Sequence, residues 1–381
     1  MFHTSYIEIS ESAIVKNLAF IRNMLGDVPF SAVVKGNAYG HGIEHYVPLL
    51  YKHGVRHYSV FNAFEALEVF NHLPEDCTIM NMGMISADET EWAVENGIEL
   101  FVFDLNRLQN MLTAAKKTGK KARVHLELET GMNRTGLTQK EMTRALALIE
   151  DNKNHFDVKG VCTHLAGAES IANYKRIKDQ YRRFKQYLKK IEAVDWLSPK
   201  IHMASSAASI RYPSTRFDMV RIGILQFGFF PTQEILVHYL SSKKNIEDPL
   251  KRVISWKTTV MDIKDVGAGK FIGYGTSFFT NVPTKIALIP VGYANGYSGD
   301  LSNQGKVLIQ GKRFDVIGTV NMSMLAVDIT ECPEITRGDE VVLIGNQGDL
   351  EISVSSFSNY SNLVNYELLT RLPNDIPRII T

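Results

Sequence analysis

Short apolar, β-branched runs alternate with amphipathic stretches through the first part of the chain. Eight runs stand out: Ser31–Lys35, His57–Phe61, Thr78–Met82, Leu100–Phe103, Val124–Leu128, Val158–Thr163, Lys200–Ala204 and Met219–Ile222. Each has the length of a buried strand. Between them Ala63–Phe70, Glu89–Asn96, Arg107–Thr118, Gln139–Glu150 and Tyr174–Glu192 carry apolar residues at helical spacing. Eight alternations of strand and helix predict an α/β fold, a (β/α)8 barrel, over residues 9–240. A doubly wound open sheet competes, but its glycine fingerprint after the first strand is missing. Beyond about residue 240 the pattern becomes β-rich, in Val253–Ile263, Lys285–Val291, Lys306–Ile309, Met324–Ile329 and Glu340–Ile344. Gly, Pro, Asn and Asp clusters separate these segments. They predict a mainly antiparallel C-terminal β-domain over 241–381, with residues 1–8 packing on it.

A length of 381 residues fits two domains better than one core. The formal net charge of +1 gives no basic field for nucleic acid or anionic membrane. Lys and Arg crowd the stretch Ala172–Glu192, which reads as a solvated outer helix. Cys77, Cys162 and Cys332 are sparse, odd in number and without ligand spacing, as expected of reduced thiols in a cytoplasmic protein. No apolar run reaches membrane-span length and the N-terminus has no signal-peptide pattern. Origin from a larger membrane protein stays open. His41 and His45 lie four apart with no third ligand nearby, so no metal site is expected.

Candidate chemistry gathers where barrel strands end, because those loops build a barrel's active site. Lys35 closes the first apolar run and meets Gly36-Asn37-Ala38-Tyr39-Gly40-His41-Gly42. A lysine at such a mouth suits Schiff-base chemistry once burial lowers its proton affinity; a surface lysine after a core strand is the plain alternative. Arg134 follows the fifth run, His164 the sixth, Ser205 and Ser206 the seventh, and Arg221 and Gly223 mark the eighth. Loops after strands seven and eight commonly hold phosphate, and small residues there let backbone N–H groups approach it. Ser206 alone also reads as a helix N-cap. A phosphate site together with a strand-end lysine points to pyridoxal 5'-phosphate.

The chain resembles the alanine racemase family of fold type III pyridoxal-phosphate enzymes. The resemblance rests on Val34-Lys35-Gly36-Asn37-Ala38-Tyr39-Gly40-His41-Gly42, Thr130-Gly131-Met132-Asn133-Arg134-Thr135-Gly136, Thr163-His164, Ser205-Ser206-Ala207-Ala208, Val220-Arg221-Ile222-Gly223-Ile224, Gly273-Tyr274-Gly275-Thr276 and Pro290-Val291-Gly292-Tyr293-Ala294-Asn295-Gly296, in the family's order. It implies a cofactor held covalently by Lys35, with Tyr39, Ser206 and the Gly223 and Ile224 backbone at the phosphate. Arg221 would face the pyridine nitrogen, where it can only donate. Lys35 and Tyr274 would be the two opposed bases, Tyr274 coming from the partner subunit of a head-to-tail homodimer. A phenol ionises only near about pH 10, so a tyrosine base needs help, and His164 with Arg221 behind it is the implied relay. Arg134 would serve the cofactor's phenolic oxygen and the substrate carboxylate, and the Met322 backbone would also donate to that carboxylate. The implied product is a D-amino acid, a peptidoglycan precursor.

Three departures bear on this reading. Glu127 stands where many family members carry a carbamylated lysine, and it supplies a carboxylate directly. Alternation places Glu127, Glu129 and Gly131 on one face if the strand continues. Thr319 and Ser323 stand where an arginine and an aspartate are frequent. Asn374 replaces a tyrosine beside the phosphate, as in the membrane-bound serine racemases of vancomycin resistance. Asparagine leaves room and a partner for a side-chain hydroxyl, so serine is expected as a substrate beside alanine; a loop asparagine neutral for specificity is the alternative. Two other functions compete: a fold type III decarboxylase of a basic amino acid, whose acidic, cysteine-bearing motif has no equivalent around Cys332, and a non-catalytic pyridoxal-phosphate binding protein, which lacks a long β-domain.

Overall fold

The computed structural model of the protein describes residues 3–244, 246–354 and 365–381. They form two compact units, one of Ile14–Ala38 and Val47–Lys251, the other of Met1–Ala13, Tyr39–Tyr46 and Arg252–Thr381. The first strand, β1 (Ser5–Ile9), belongs to the second unit. Strands β2 (Phe30–Val33), β3 (His57–Asn62), β4 (Thr78–Met84), β5 (Glu99–Val102), β6 (Ala122–Glu127), β7 (Phe156–Cys162), β8 (Lys200–Ser205) and β9 (Met219–Ile222) close a parallel barrel. The expected fold class is therefore the one observed.

Each strand departs from its sequence expectation by at most a few residues. The first ends at Val33 rather than Lys35, because Gly36, Asn37, Ala38 and Tyr39 all take positive φ and turn the chain left-handed. Closure comes from β2 beside β9, in the register Phe30↔Val220, Ser31↔Arg221 and Ala32↔Ile222. Gln226 stitches the same seam, donating from Nε2 to Val33 O and Ile222 O, both at 2.9 Å.

The outer helices form where their apolar stripes predict, and local caps set their ends. Asp104 caps Leu105–Thr118 and Gly119 ends it in the left-handed conformation. Thr138 and Glu141 make a reciprocal capping box on Gln139–Asp151. The basic helix Tyr174–Ile191 buries Ile177, Gln180, Phe184, Tyr187, Leu188 and Ile191 and turns its Lys and Arg residues outward. No helix among the described residues is long and apolar enough to cross a membrane.

The second unit is a mostly antiparallel sheet. Its strands are β1, β10 (Ile254–Thr259), β11 (Asp262–Val266), β12 (Thr284–Ile289), β13 (Lys306–Ile309), β14 (Lys312–Ile317), β15 (Leu325–Asp328), β16 (Glu340–Gln347), β17 (Leu350–Ile352) and β18 (Arg378–Ile380). Their order is β11-β12-β15-β14-β13-β16-β10-β1-β18, with β17 pairing β16. The expected single run Val253–Ile263 divides into β10 and β11. Strand β14 has no counterpart in the apolar pattern, since Lys312, Arg313 and Asp315 face solvent between buried residues. The two-residue turn Gln310-Gly311, with φ of 49° and 73°, sets its register against β13.

Gly40 belongs to this second unit and has φ +82°. A Cβ there would lie 1.8 Å from Leu369 O, against the backbone of the helix Asn365–Thr370. Gly40→Ala is therefore expected to cost about 3 kcal/mol through overlap and left-handed strain, read as a lowered midpoint in denaturant unfolding. An unchanged midpoint would contradict this packing.

Candidate active site

One carboxylate fixes the turn that carries Lys35. Glu65 lies in the helix Ala63–Asn71, whose N-cap is Asn62. It accepts from Gly36 N at 2.6 Å and from Phe61 N at 2.8 Å. This ties the turn after β2 to the end of β3, and Ala38 N closes the turn on Val34 O at 2.8 Å. Lys35 is accessible to solvent yet partly desolvated by its surroundings. Loss of hydration lowers its pKa, Arg134 and Arg221 lower it further, and Glu65 opposes them.

Arg221 is buried in β9 among acceptors only. Its Nη1 donates to His202 Nδ1 at 2.5 Å and its Nη2 to Thr163 O at 2.8 Å. The imidazole hydrogen-bonded to Arg221 is His202, because β8 and β9 are neighbours and place that ring against the guanidinium. His164 follows β7, and burial, with Arg221, Arg134 and Lys35 near it, pushes its imidazole down to about 3. It is therefore neutral at neutral pH.

Ser206 opens the short helix Ser206–Arg211, and its Oγ accepts from Gly223 N at 3.0 Å. Ser206, Gly223 and Ile224 are thus neighbours, as the spacing predicts, and all are buried.

Arg134 lies in the loop that follows β6. Strand β6 stops at Glu127, and the Glu129 carboxylate folds back to accept from Gly131 N and, at 2.8 Å, from Asn133 N. Glu127, Glu129 and Gly131 therefore do not share one strand face; the backbone N–H groups of the glycine-containing turn take the second carboxylate. Glu127 is buried, so its carboxyl is pushed upward, while a hydrogen bond from Thr135 and the charges of Arg221 and Arg134 oppose that. Arg134 itself is exposed. Gln180, not singled out in the sequence, binds this loop to the next: Nε2 donates to Thr130 Oγ1 and His164 O, and Oε1 accepts from Ala166 N. Its signal was a lone amide on the apolar stripe of a basic helix.

The remaining sequence-selected residues lie in the second unit. Tyr39 has φ 52° and opens the segment Tyr39–Tyr46. Tyr274 sits 75% exposed between Gly273 and Gly275, and its carbonyl accepts from Thr319 Oγ1 at 3.3 Å. Met322 is exposed, and its carbonyl accepts from Ala294 N at 2.9 Å. Only a glycine fits at position 292, where a Cβ would lie 2.1 Å from Asn321 O. Asn374 is exposed, and its carbonyl accepts from Arg378 Nη1 at 2.9 Å.

The charges around Lys35 make a measurable pH dependence. Lys35 is expected to react with an amine-selective acylating reagent at lower pH than exposed lysines, mapped by peptide mass spectrometry. Removing a repelling cation in Arg134→Leu moves that profile to higher pH; removing an attracting anion in Glu65→Gln moves it to lower pH. Profiles that coincide with those of exposed lysines would contradict this account.

Comparison with known proteins gives one answer. The alanine racemase N-terminal domain matches residues 9–231 and the alanine racemase C-terminal domain matches 253–380. An alanine racemase of Methanococcus maripaludis is 34% identical over 99% of this chain and 98% of its own length. An alanine racemase structure from Clostridium difficile 630 superposes with a TM-score of 0.90 at 29% identity, covering 100% of this chain and 96% of that one. A Bartonella henselae alanine racemase with covalently bound pyridoxal phosphate superposes at 0.85 and 29% identity, with both chains fully covered. The strand-end lysine, the buried arginine of β9 and the two-unit fold therefore sit in a chain that belongs to the alanine racemase family.

Proposed function

We propose that the protein interconverts L- and D-alanine with pyridoxal 5'-phosphate, accepts serine as a second substrate, and works as a head-to-tail homodimer. Lys35 and the partner subunit's Tyr274 are the two bases. The observation that carries this reading is an amine of lowered proton affinity at a barrel mouth that also holds a buried, donor-only arginine. The donor set fits the cofactor: Lys35 for its aldehyde, Ser206, Gly223 and Ile224 for its phosphate, and Arg221 for its ring nitrogen. Tyr39 is assigned to the phosphate, and Asn374 and Met322 to the substrate, on the family resemblance alone.

When bound, the cofactor draws electron density from the substrate's α-carbon and so eases removal of its proton. Racemisation then needs one group on each face, since a single fixed base does not serve both. Lys35 Nζ holds its proton less tightly than an ordinary lysine does. The partner subunit's Tyr274 Oη serves the opposite face. His164, uncharged at neutral pH, adds a hydrogen-bonding ring without a further cation. Arg134 donates to the substrate carboxylate from a loop held by Glu129 and Gln180. Arg221 donates without ever surrendering its proton.

A panel of single L-amino acids, analysed by chiral chromatography beside the protein's absorbance spectrum, tests the assignment. Expected are a yellow protein, D-alanine from L-alanine, and loss of colour and turnover in Lys35→Ala. Tyr274→Phe keeps colour and loses about 10²-fold or more in kcat. Carbon dioxide from lysine or ornithine, or cofactor binding with no turnover of any amino acid, would overturn the reading. Serine turnover should fall selectively in Asn374→Tyr; trace serine turnover that this variant leaves unchanged removes serine from the substrates.

A further inference from the structure

A chain of buried polar side chains crosses the barrel interior away from the lysine. Glu99 is the first residue of β5 and Arg221 the third of β9. Between them Glu99 Oε2 meets His125 Nε2 at 2.7 Å, His125 Nδ1 meets His202 Nε2 at 2.9 Å, and His202 Nδ1 meets Arg221 Nη1 at 2.5 Å. His125 and His202 are 1% and 0% exposed, and Glu99 is buried too. A side branch leaves Glu99 through His57 Nε2 at 3.5 Å, and His57 Nδ1 lies 2.8 Å from Ser31 Oγ.

The direction of every bond follows from one end. A guanidinium has no acceptor, so His202 Nδ1 must accept. A neutral His202 then carries its proton on Nε2 and donates to His125 Nδ1. His125 in turn carries its proton on Nε2 and donates to the Glu99 carboxylate. Burial lowers the proton affinity of both imidazoles, consistent with two neutral rings. Burial pushes the Glu99 carboxyl upward, but bonds from His125 and His57 outweigh it and hold the group ionised. A carboxylate placed directly on Arg221 would cancel its charge locally. Two neutral rings instead separate the buried anion from the buried cation and keep the guanidinium positive where it acts. Gly160 makes room for the pair of rings: a Cβ there would lie 2.2 Å from His125 Nδ1 and 3.0 Å from His202 Nε2.

We propose that Glu99, His125 and His202 are positioning residues that aim and polarise Arg221 as a hydrogen-bond donor to the cofactor ring, an inference that rests on the cofactor reading given above. They act through Arg221 and touch no reacting atom, so truncation should lower kcat more than it alters KM.

The test uses the cofactor-loaded enzyme. His202→Leu breaks the chain and is expected to lower kcat by about 10²-fold, with KM changed little, and to move the absorbance band of the bound cofactor. His202→Gln presents a neutral acceptor and donor at similar spacing and should restore most of kcat and the band. Glu99→Gln keeps an acceptor, removes the charge and should fall between. Nitrogen-15 NMR of histidine-labelled wild type reports the tautomers without any substitution. Nε2–H on both His125 and His202 is expected; Nδ1–H on either ring overturns the proposal, as do loaded His202→Leu and Glu99→Gln variants with wild-type kcat and spectrum. A wild type that is colourless and inactive overturns the cofactor reading itself, which the tautomers alone would not reveal.

Discussion

The pairing of β2 with β9 is the constraint on which the site depends. The first and last barrel strands are joined by hydrogen bonds only after nearly the whole barrel sequence has been threaded between them, and such non-local parallel pairing is entropically demanding. Its register sets Ser31 opposite Arg221, so the lysine that follows one strand and the arginine within the other come to one end of the barrel. Gln226 holds the seam shut at that end by bonding a carbonyl from each strand. Without this seam Lys35 and Arg221 would share neither an electrostatic environment nor a common face.

Electrostatics then follows from position. Arg134 and Arg221 weaken proton binding at Lys35, and all three cations weaken it at His164. The carboxylates that offset them are not paired with them directly. Glu65 is spent on two backbone N–H groups, Glu129 on two more, and Glu127 meets Thr135. The two backbone-bound carboxylates therefore fasten the loops of the mouth rather than capping its cations.

The barrel was legible because buried parallel strands are continuous apolar runs, and Met219–Ile222 appears in the structure with the bounds the pattern suggests. Lys35, Ser206, Arg221 and Gly223 were legible because barrel chemistry is confined to strand ends. What was hidden depends on neighbours distant in sequence. His125 and His202 read as isolated polar residues within strands, and only the barrel's curvature makes them partners. Glu129 looks like the next residue of a strand until its side chain closes a turn. Strand β14 has too many charged residues for its apolar face to show, and its glycine turn was the only cue.

Gly160 also has a bearing on how the chain tolerates change. Its backbone is ordinary for a strand, with none of the positive φ that normally warns against substitution. By the usual rule an alanine there would restrict the unfolded chain and add about 0.4–1 kcal/mol of stability. Here the missing methyl is occupied space, claimed by two imidazole rings from other strands. A stabilising campaign guided by backbone angles alone would choose this position and wedge apart the barrel's interior.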